Sequence, residues 1–129
     1  MNIVRLTPDA LHKILSGHIK EKATCVVKFY TQDCPFCHNL KDYYQEIANE
    51  DEYSDLLFFA FNVNDSPSIE KKLNFNGVPT ISLIKAGGPV PKVNICPEPE
   101  KPNDHTWYTA TDIKTLPLVH FSSNIIKVL

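Results

Sequence analysis

No stretch of this chain is apolar enough to hold it in a bilayer. The longest apolar run, Leu56 to Phe61, falls far short of the ~20 residues a spanning helix needs, so no membrane role is expected. Basic residues never run beyond two in a row and the formal net charge is −2, which argues against a nucleic-acid surface. The opening Met1-Asn2-Ile3-Val4-Arg5-Leu6 lacks the uninterrupted apolar segment of a secretory signal, so the chain reads as intracellular and cytoplasmic. A second close cysteine pair is also missing. Cys25 and Cys96 stand alone, each in or beside an expected strand, so neither a zinc ribbon nor any other metal site is expected. In an intracellular protein, four cysteines read better as reactive or buried thiols than as a disulfide framework. No internal repeat is visible. What is present is ordinary for a globular chain: 129 residues, 43% apolar and 22% charged, read as one domain over 1–129 with a core that needs no staples.

The hydrophobic pattern sets the order of elements. Asn2 to Leu6 alternates weakly, as a short strand. Thr7-Pro8 then opens a helix, with Thr7 as N-cap and Pro8 in the first position, and Ser16-Gly17 ends it. Thr24 to Tyr30 is β-branched, aromatic and almost free of polar residues, as a strand buried on both faces should be. Pro35 to Asn49 carries a helical apolar stripe of Leu40, Tyr43, Tyr44 and Ile47. Leu56 to Val63 is another buried strand. Ser66, placed as a cap before Pro67, opens a short helix to about Leu73. Thr80 to Lys85 is a strand, and Gly87-Gly88 suggests a hairpin into Val90 to Ile95. A last helix lies within Thr111 to Leu129, started or kinked by Pro117. The order is β-α-β-α-β-α-β-β-α, an α/β fold with a central mixed sheet flanked by helices. Five of the ten prolines crowd into 89–102, so residues 96–106 read as an exposed, polyproline-like loop before the last helix.

The most informative stretch is Cys34-Pro35-Phe36-Cys37, between the second strand and second helix. Two cysteines at this spacing at the mouth of a helix can close a small disulfide ring and reopen it, the working part of a dithiol–disulfide exchanger. The same spacing serves half a zinc site, or two free thiols packed under a helix, so context carries the reading. Exchange needs a thiolate. At the helix N-terminus Cys34 meets unpaired N–H groups and the positive dipole end, both favouring the anion, so Cys34 is the expected attacking residue. Cys37, one turn in and more buried, would resolve the mixed disulfide. Pro35 fits the first turn without losing a needed N–H. Asp33 opposes the activation, whereas Lys28 or a protonated His38 favours it. His38 can share the face of Cys34 or simply face solvent.

The passage from Val27 through Cys37, together with Val78-Pro79-Thr80 further on, resembles the two signatures of thioredoxin-fold proteins. The resemblance covers roughly residues 1 to 95, and its element order is the thioredoxin fold. It implies a cis Pro79 facing the dithiol, with Val78, Pro79 and Thr80 at the substrate edge and the Val78 backbone free to pair with an extended substrate. An ordinary trans turn proline is the alternative. Three positions depart from thioredoxins. Asp33 stands where Trp is usual, and Pro35-Phe36 is closer to the glutaredoxin dipeptide than to Gly-Pro. Lys28 stands where a buried acid is usual. A neutral Lys28 could take a proton from Cys37, or its side chain could snorkel to an edge and do nothing catalytic.

The resemblance implies a thiol–disulfide oxidoreductase of protein disulfides, monomeric and without a built-in cofactor, recharged by a reductase or by glutathione. Two rival functions remain open: a thioredoxin-fold binding module that docks through the proline loop, and a glutaredoxin-like enzyme using glutathione. The last needs a cationic groove, and Lys28, Lys41 and Lys85 are scattered in sequence. Cys25 and Cys96 read as buried thiols, and Trp107-Tyr108 as an anchor for the last helix or a partner patch.

Overall fold

The computed structural model describes residues 3–87, 90–118 and, for the backbone alone, 126–127. Among these described residues six strands form one sheet: β1 (Val4–Arg5), β2 (Ala23–Tyr30), β3 (Leu56–Asn62), β4 (Thr80–Ala86), β5 (Lys92–Ile95) and β6 (Ile126–Lys127). Their order across the sheet is β1-β3-β2-β4-β5-β6. β1 and β2 run parallel to β3, while β4 is antiparallel to β2, β5 to β4 and β6 to β5. Four helices flank the sheet: α1 (Pro8–Leu15), α2 (Pro35–Ala48), α3 (Ile69–Leu73) and α4 (Ala110–Thr115). This is the mixed α/β architecture the sequence pattern leads one to expect.

The alternation of β2 divides the core in two. Cys25, Val27 and Phe29 face α1 and α3, where they pack with Leu11, Ile14, Phe61 and Leu73. Val26 points the other way, into a cluster with Leu40, Tyr44 and Ile47 of α2 and Ile113 of α4. Because β2 has a strand on each side and helices on both faces, it is buried from Cys25 to Phe29. Phe29 is held between Phe61, edge-on at 5.8 Å, and Phe75 at 4.7 Å.

Helix starts follow local chemistry. The Thr7 hydroxyl accepts the Ala10 N–H at 3.1 Å, with Pro8 in the first turn. Thr109 caps α4 through a reciprocal capping box with Asp112. α3 differs from the expectation. It begins at Ile69 behind Ser68, and no side chain caps it. Ser66 instead closes the preceding 3₁₀ turn, Val63–Asp65, through its N–H to the Val63 carbonyl. Pro67 therefore sits in the approach to the helix rather than in its first turn.

The C-terminal region differs more. α4 is six residues long and passes into a 3₁₀ turn at Leu116–Leu118. Pro117 lies inside that turn and has no N–H to continue an α-helical ladder. Beyond it a sixth strand stands where a helix was expected, pairing Ile126 with Val93 and Lys127 with Lys92. Ile126 is β-branched and suits a strand. The rest of the expected last helix lies outside the described residues, as do Asn2 of the first strand and Gly88 of the expected Gly-Gly turn.

Gly77 and Gly87 carry positive φ in different surroundings. Gly87, at φ +94, lies against the chain before β2, and a Cβ there would meet Lys22 Cα at 2.5 Å. Gly77, at φ +87, has open space around that position. Gly77→Ala is expected to cost about 1 kcal/mol from the left-handed backbone alone. Gly87→Ala adds a backbone clash and should cost clearly more, about 3 kcal/mol. Urea unfolding of the two variants checks the order, and equal losses would refute the crowding at Gly87.

Candidate active site

The two halves of the site meet because β2 and β4 are antiparallel neighbours. Phe29 near the end of β2 pairs with Thr80 at the start of β4. The chain leaving β2 and the chain entering β4 therefore lie at the same end of the sheet. Cys34 caps α2 in an extended conformation, and its sulfur accepts the Cys37 N–H at 3.1 Å. The Cys34 and Cys37 sulfurs are joined as a disulfide, with Cα atoms 5.2 Å apart. Both residues are buried, Cys37 at 3% exposure more deeply than Cys34 at 7%. The Cys34 sulfur also lies 3.8 Å from the Val78 carbonyl oxygen, to which a reduced thiol can donate.

The Val78–Pro79 peptide is cis. Its turn is held from behind: the Glu70 carboxylate accepts the Gly77 N–H at 3.2 Å, and the Thr80 hydroxyl donates to the Gly77 carbonyl at 2.8 Å. Thr80 is buried and faces the turn, whereas Val78 is half-buried and lies just outside the β4 ladder.

The charged residues around the dithiol separate clearly. Asp33 is exposed, as is Pro35 in the first turn of α2. His38 is exposed too, and its Nε2–H donates to the Gln32 carbonyl at 2.5 Å, lacing the loop to the helix. Lys28 is buried at 6% exposure. Its ammonium lies 5.1 Å from the Tyr44 ring centre and 5.7 Å from that of Tyr30. Burial, with the neighbouring Lys41 charge adding to it, lowers its pKa to about 8. Lys28, Lys41 and Cys37 line one cleft of about 460 Å³. Lys85 lines another, beside Lys22 and Lys92. Folding thus brings together two of the three scattered lysines and leaves the third apart. Cys25 and Cys96 are buried free thiols, each raised by burial to about 11 and so kept protonated. Among the described residues, no group of three His, Cys, Asp or Glu side chains gathers that could hold a metal ion.

The proline-rich segment does more than bridge β5 and α4. Residues 103–107 turn back on themselves through paired backbone hydrogen bonds between Asn103 and Trp107. Asn39 of α2 donates to the His105 carbonyl at 2.7 Å, and the Tyr43 hydroxyl donates to the Tyr108 carbonyl. Trp107, at φ 66, packs edge-on against Phe36 with ring centres 5.6 Å apart. Tyr108 is buried in the α2-side core. The segment is exposed at Pro97, Glu98 and Lys101, but its second half is fastened to the helix that carries the dithiol. Phe36, Val78, Pro79, Glu98 and Trp107 line a second cleft of about 480 Å³. Nothing in the sequence spacing places Trp107 beside Phe36. The available signal is the turn-forming Asn103-Asp104 pair ahead of it.

The comparisons with known proteins agree with this geometry. A family model described as thioredoxin matches residues 2–102. The chain is 34% identical over 70 residues to the thioredoxin of Acidithiobacillus ferridurans, a match covering 54% of this chain and 63% of that protein. The structure of mitochondrial thioredoxin 3 from Saccharomyces cerevisiae, in its oxidized form, aligns with a TM-score of 0.52 at 26% identity, over 63% of this chain and 72% of that one. The J-Trx1 fragment of ERdj5 gives a TM-score of 0.61 at 19% identity, over 95% of this chain and 51% of that one, a likeness of fold alone. The chain thus spans less than two thirds of the curated thioredoxin and about half of the J-Trx1 fragment.

If the Phe36–Trp107 contact fastens the loop, the two rings should couple. A double-mutant cycle of Phe36→Ala and Trp107→Ala is expected to give about 0.5–1.5 kcal/mol of interaction energy in unfolding. Strict additivity would show the contact to be incidental.

Proposed function

The chain belongs to the thioredoxin family, and on that premise we propose that it is a thiol–disulfide oxidoreductase acting on disulfide-containing protein substrates. The observation that carries the reading is the Cys34–Cys37 disulfide at the start of α2, against the Val78 carbonyl and cis Pro79. In the reduced protein, the Cys34 thiolate attacks one sulfur of a substrate disulfide. A mixed disulfide forms, and the other substrate sulfur leaves as a thiolate that takes up a proton. The Cys37 thiolate then attacks the Cys34 sulfur, closing the ring and expelling the second substrate thiol. The substrate gains two electrons and the dithiol loses them. A reductase or glutathione returns the pair to the dithiol. In a cytoplasmic, reducing setting the net direction is substrate reduction.

Each neighbouring residue has a part in this reading. The helix N-terminus and the Cys37 N–H stabilise the Cys34 thiolate. Val78, outside the ladder, offers backbone to an extended substrate, and Pro79 and Thr80 hold that edge in place. Phe36 forms the apolar rim. Asp33 weakens the thiolate, and His38 steadies the loop before Cys34. Lys28 accepts the proton of Cys37 through the cleft they share, since an amine lowered to about 8 is partly neutral at working pH. The protein works as a monomer, without a cofactor.

Two experiments test these roles. With Cys25→Ala and Cys96→Ala silencing the other thiols, Cys37→Ser should accumulate discrete reducible adducts with substrate proteins. The adducts should vanish when Cys34→Ser is added. A protein that binds the same partners equally well with Cys34→Ser, and traps none, would be a docking module instead. For Lys28, the rate of mixed-disulfide resolution should rise with pH through about 8 as the amine loses its proton. Lys28→Met should slow resolution at neutral pH by about a hundredfold, within the usual range of general-base effects. An unchanged rate and pH profile in Lys28→Met would remove the residue from the mechanism.

A further inference from the structure

We propose that the cleft behind the dithiol is a binding site for a small oxyanion, held between the ammonium groups of Lys28 and Lys41. The cleft has a volume of about 460 Å³ and reaches Cys37. Lys28 enters it from β2 and Lys41 from α2, and the charge of one disfavours that of the other. Lys28 is almost fully buried, and among the described residues the contacts of its ammonium are the ring faces of Tyr30 and Tyr44, with no ion pair. The ion pairs among the described residues are Arg5 with Asp65 and Lys114 with Glu50, and neither reaches Lys28 or Lys41. A buried cation without a carboxylate, facing a second cation across an open cavity, is costly, and an anion between the two relieves that cost.

The other ionisable groups on the cleft walls do not supply the missing charge. Arg5, from β1, spends its charge on Asp65 at 2.8 Å. The Nε2–H of His38 is engaged by the Gln32 carbonyl. Asp42, on α2, also lines the cleft, but it is exposed and forms no ion pair with either lysine. The lining therefore selects an anion over a cation, and its polar, cationic wall selects oxygen ligands over an apolar group. Sulfate or phosphate shares this chemistry with the carboxylates of a low-molecular-weight thiol such as glutathione. An occupant would hold Lys28 in its charged form and so oppose proton transfer from Cys37. That last effect rests on the exchange mechanism proposed above, whereas the site itself rests on the cleft alone.

The test titrates the intact protein with sulfate and, separately, with S-methylglutathione, which carries carboxylates but cannot exchange. Chloride keeps the ionic strength constant, and the amide resonances of Cys37 and His38 report occupancy. Saturable binding is expected. It should weaken by at least about tenfold in Lys28→Met and in Lys41→Met, the loss of one charge-assisted hydrogen bond. Sulfate keeps its charge over the range, so its affinity should fall as pH rises through about 8 and Lys28 is neutralised. Tighter sulfate binding identifies a free oxyanion as the occupant, and tighter S-methylglutathione binding a small thiol. Non-saturating shifts with both probes, or undiminished affinity in Lys41→Met, would overturn the proposal. Lys41 is exposed, so that variant keeps the test decisive even if Lys28→Met fails to fold. Cys34→Ser should bind as the native protein does, which separates failure of this site from failure of the exchange chemistry.

Discussion

The antiparallel register between β2 and β4, with Phe29 opposite Thr80, is the constraint on which the site depends. It puts the end of one strand and the beginning of the other at the same end of the sheet. Two segments more than forty residues apart in sequence, Cys34 and Val78, then come within 3.8 Å. Shifting that register by one residue would exchange the two faces of β4. Ile81 and Leu83 would leave the α2 side, and Thr80 would lose the position from which its hydroxyl holds the Gly77 carbonyl. The core on both faces therefore enforces the geometry of the dithiol. The parallel pairing of β2 with β3 supports this from the other side, since it buries the middle of β2 and leaves no edge along which the strand could slip.

The same alternation that builds the core creates its least comfortable member. Val27 and Phe29 point towards α1 and α3, so Lys28 must point towards α2. Escape to solvent along its own stem is limited, because Tyr30 and Tyr44 flank the amine. Snorkelling would have left it exposed and near its ordinary pKa, whereas it is buried and lowered to about 8. Ring faces compensate a cation less well than a carboxylate does. The residual destabilisation of the charged amine is what makes this position chemically responsive. It raises the neutral fraction of the amine near working pH, and equally favours any anion that reaches the cleft.

Much of this arrangement was legible in the sequence where local chemistry and burial agree. β2 showed itself as an uninterrupted apolar run, α2 by its stripe and leading proline, and α1 by Thr7 and Pro8. The dithiol was plain from spacing and context. Where the reading missed, one local signal competed with another. Ser66 looked like a cap, but its N–H closes the 3₁₀ turn to the Val63 carbonyl and its own carbonyl accepts the Ile69 N–H, so the chain enters α3 on backbone groups instead. Pro117, read as starting or kinking the last helix, lies in a 3₁₀ turn after α4, and Ile126 and Lys127 pair with β5. The convergence of Lys28 with Lys41 could not be read from either residue. It depends on how α2 lies across β2, a tertiary fact with no signature at a fixed spacing.

The proline-rich segment illustrates how a departure at one position can be answered from elsewhere in the chain. Asp33 provides no aromatic surface beside Cys34, and it is exposed. Phe36 alone would leave a small apolar rim on the first turn of α2. Trp107 comes back from beyond β5 to pack on that ring, fastened by Asn39 to the His105 carbonyl and by Tyr43 to the Tyr108 carbonyl. Prolines before the turn suit this task, because a chain with few accessible conformations loses little entropy when it docks. Phe36 and Trp107 line the same cleft as Val78 and Pro79. The apolar rim beside the dithiol is thus composed of two distant segments, the second lying outside the residues that match the family. A loop read from the sequence as exposed and polyproline-like is fastened in its second half to α2, which ties the shape of this rim to the helix that carries the dithiol.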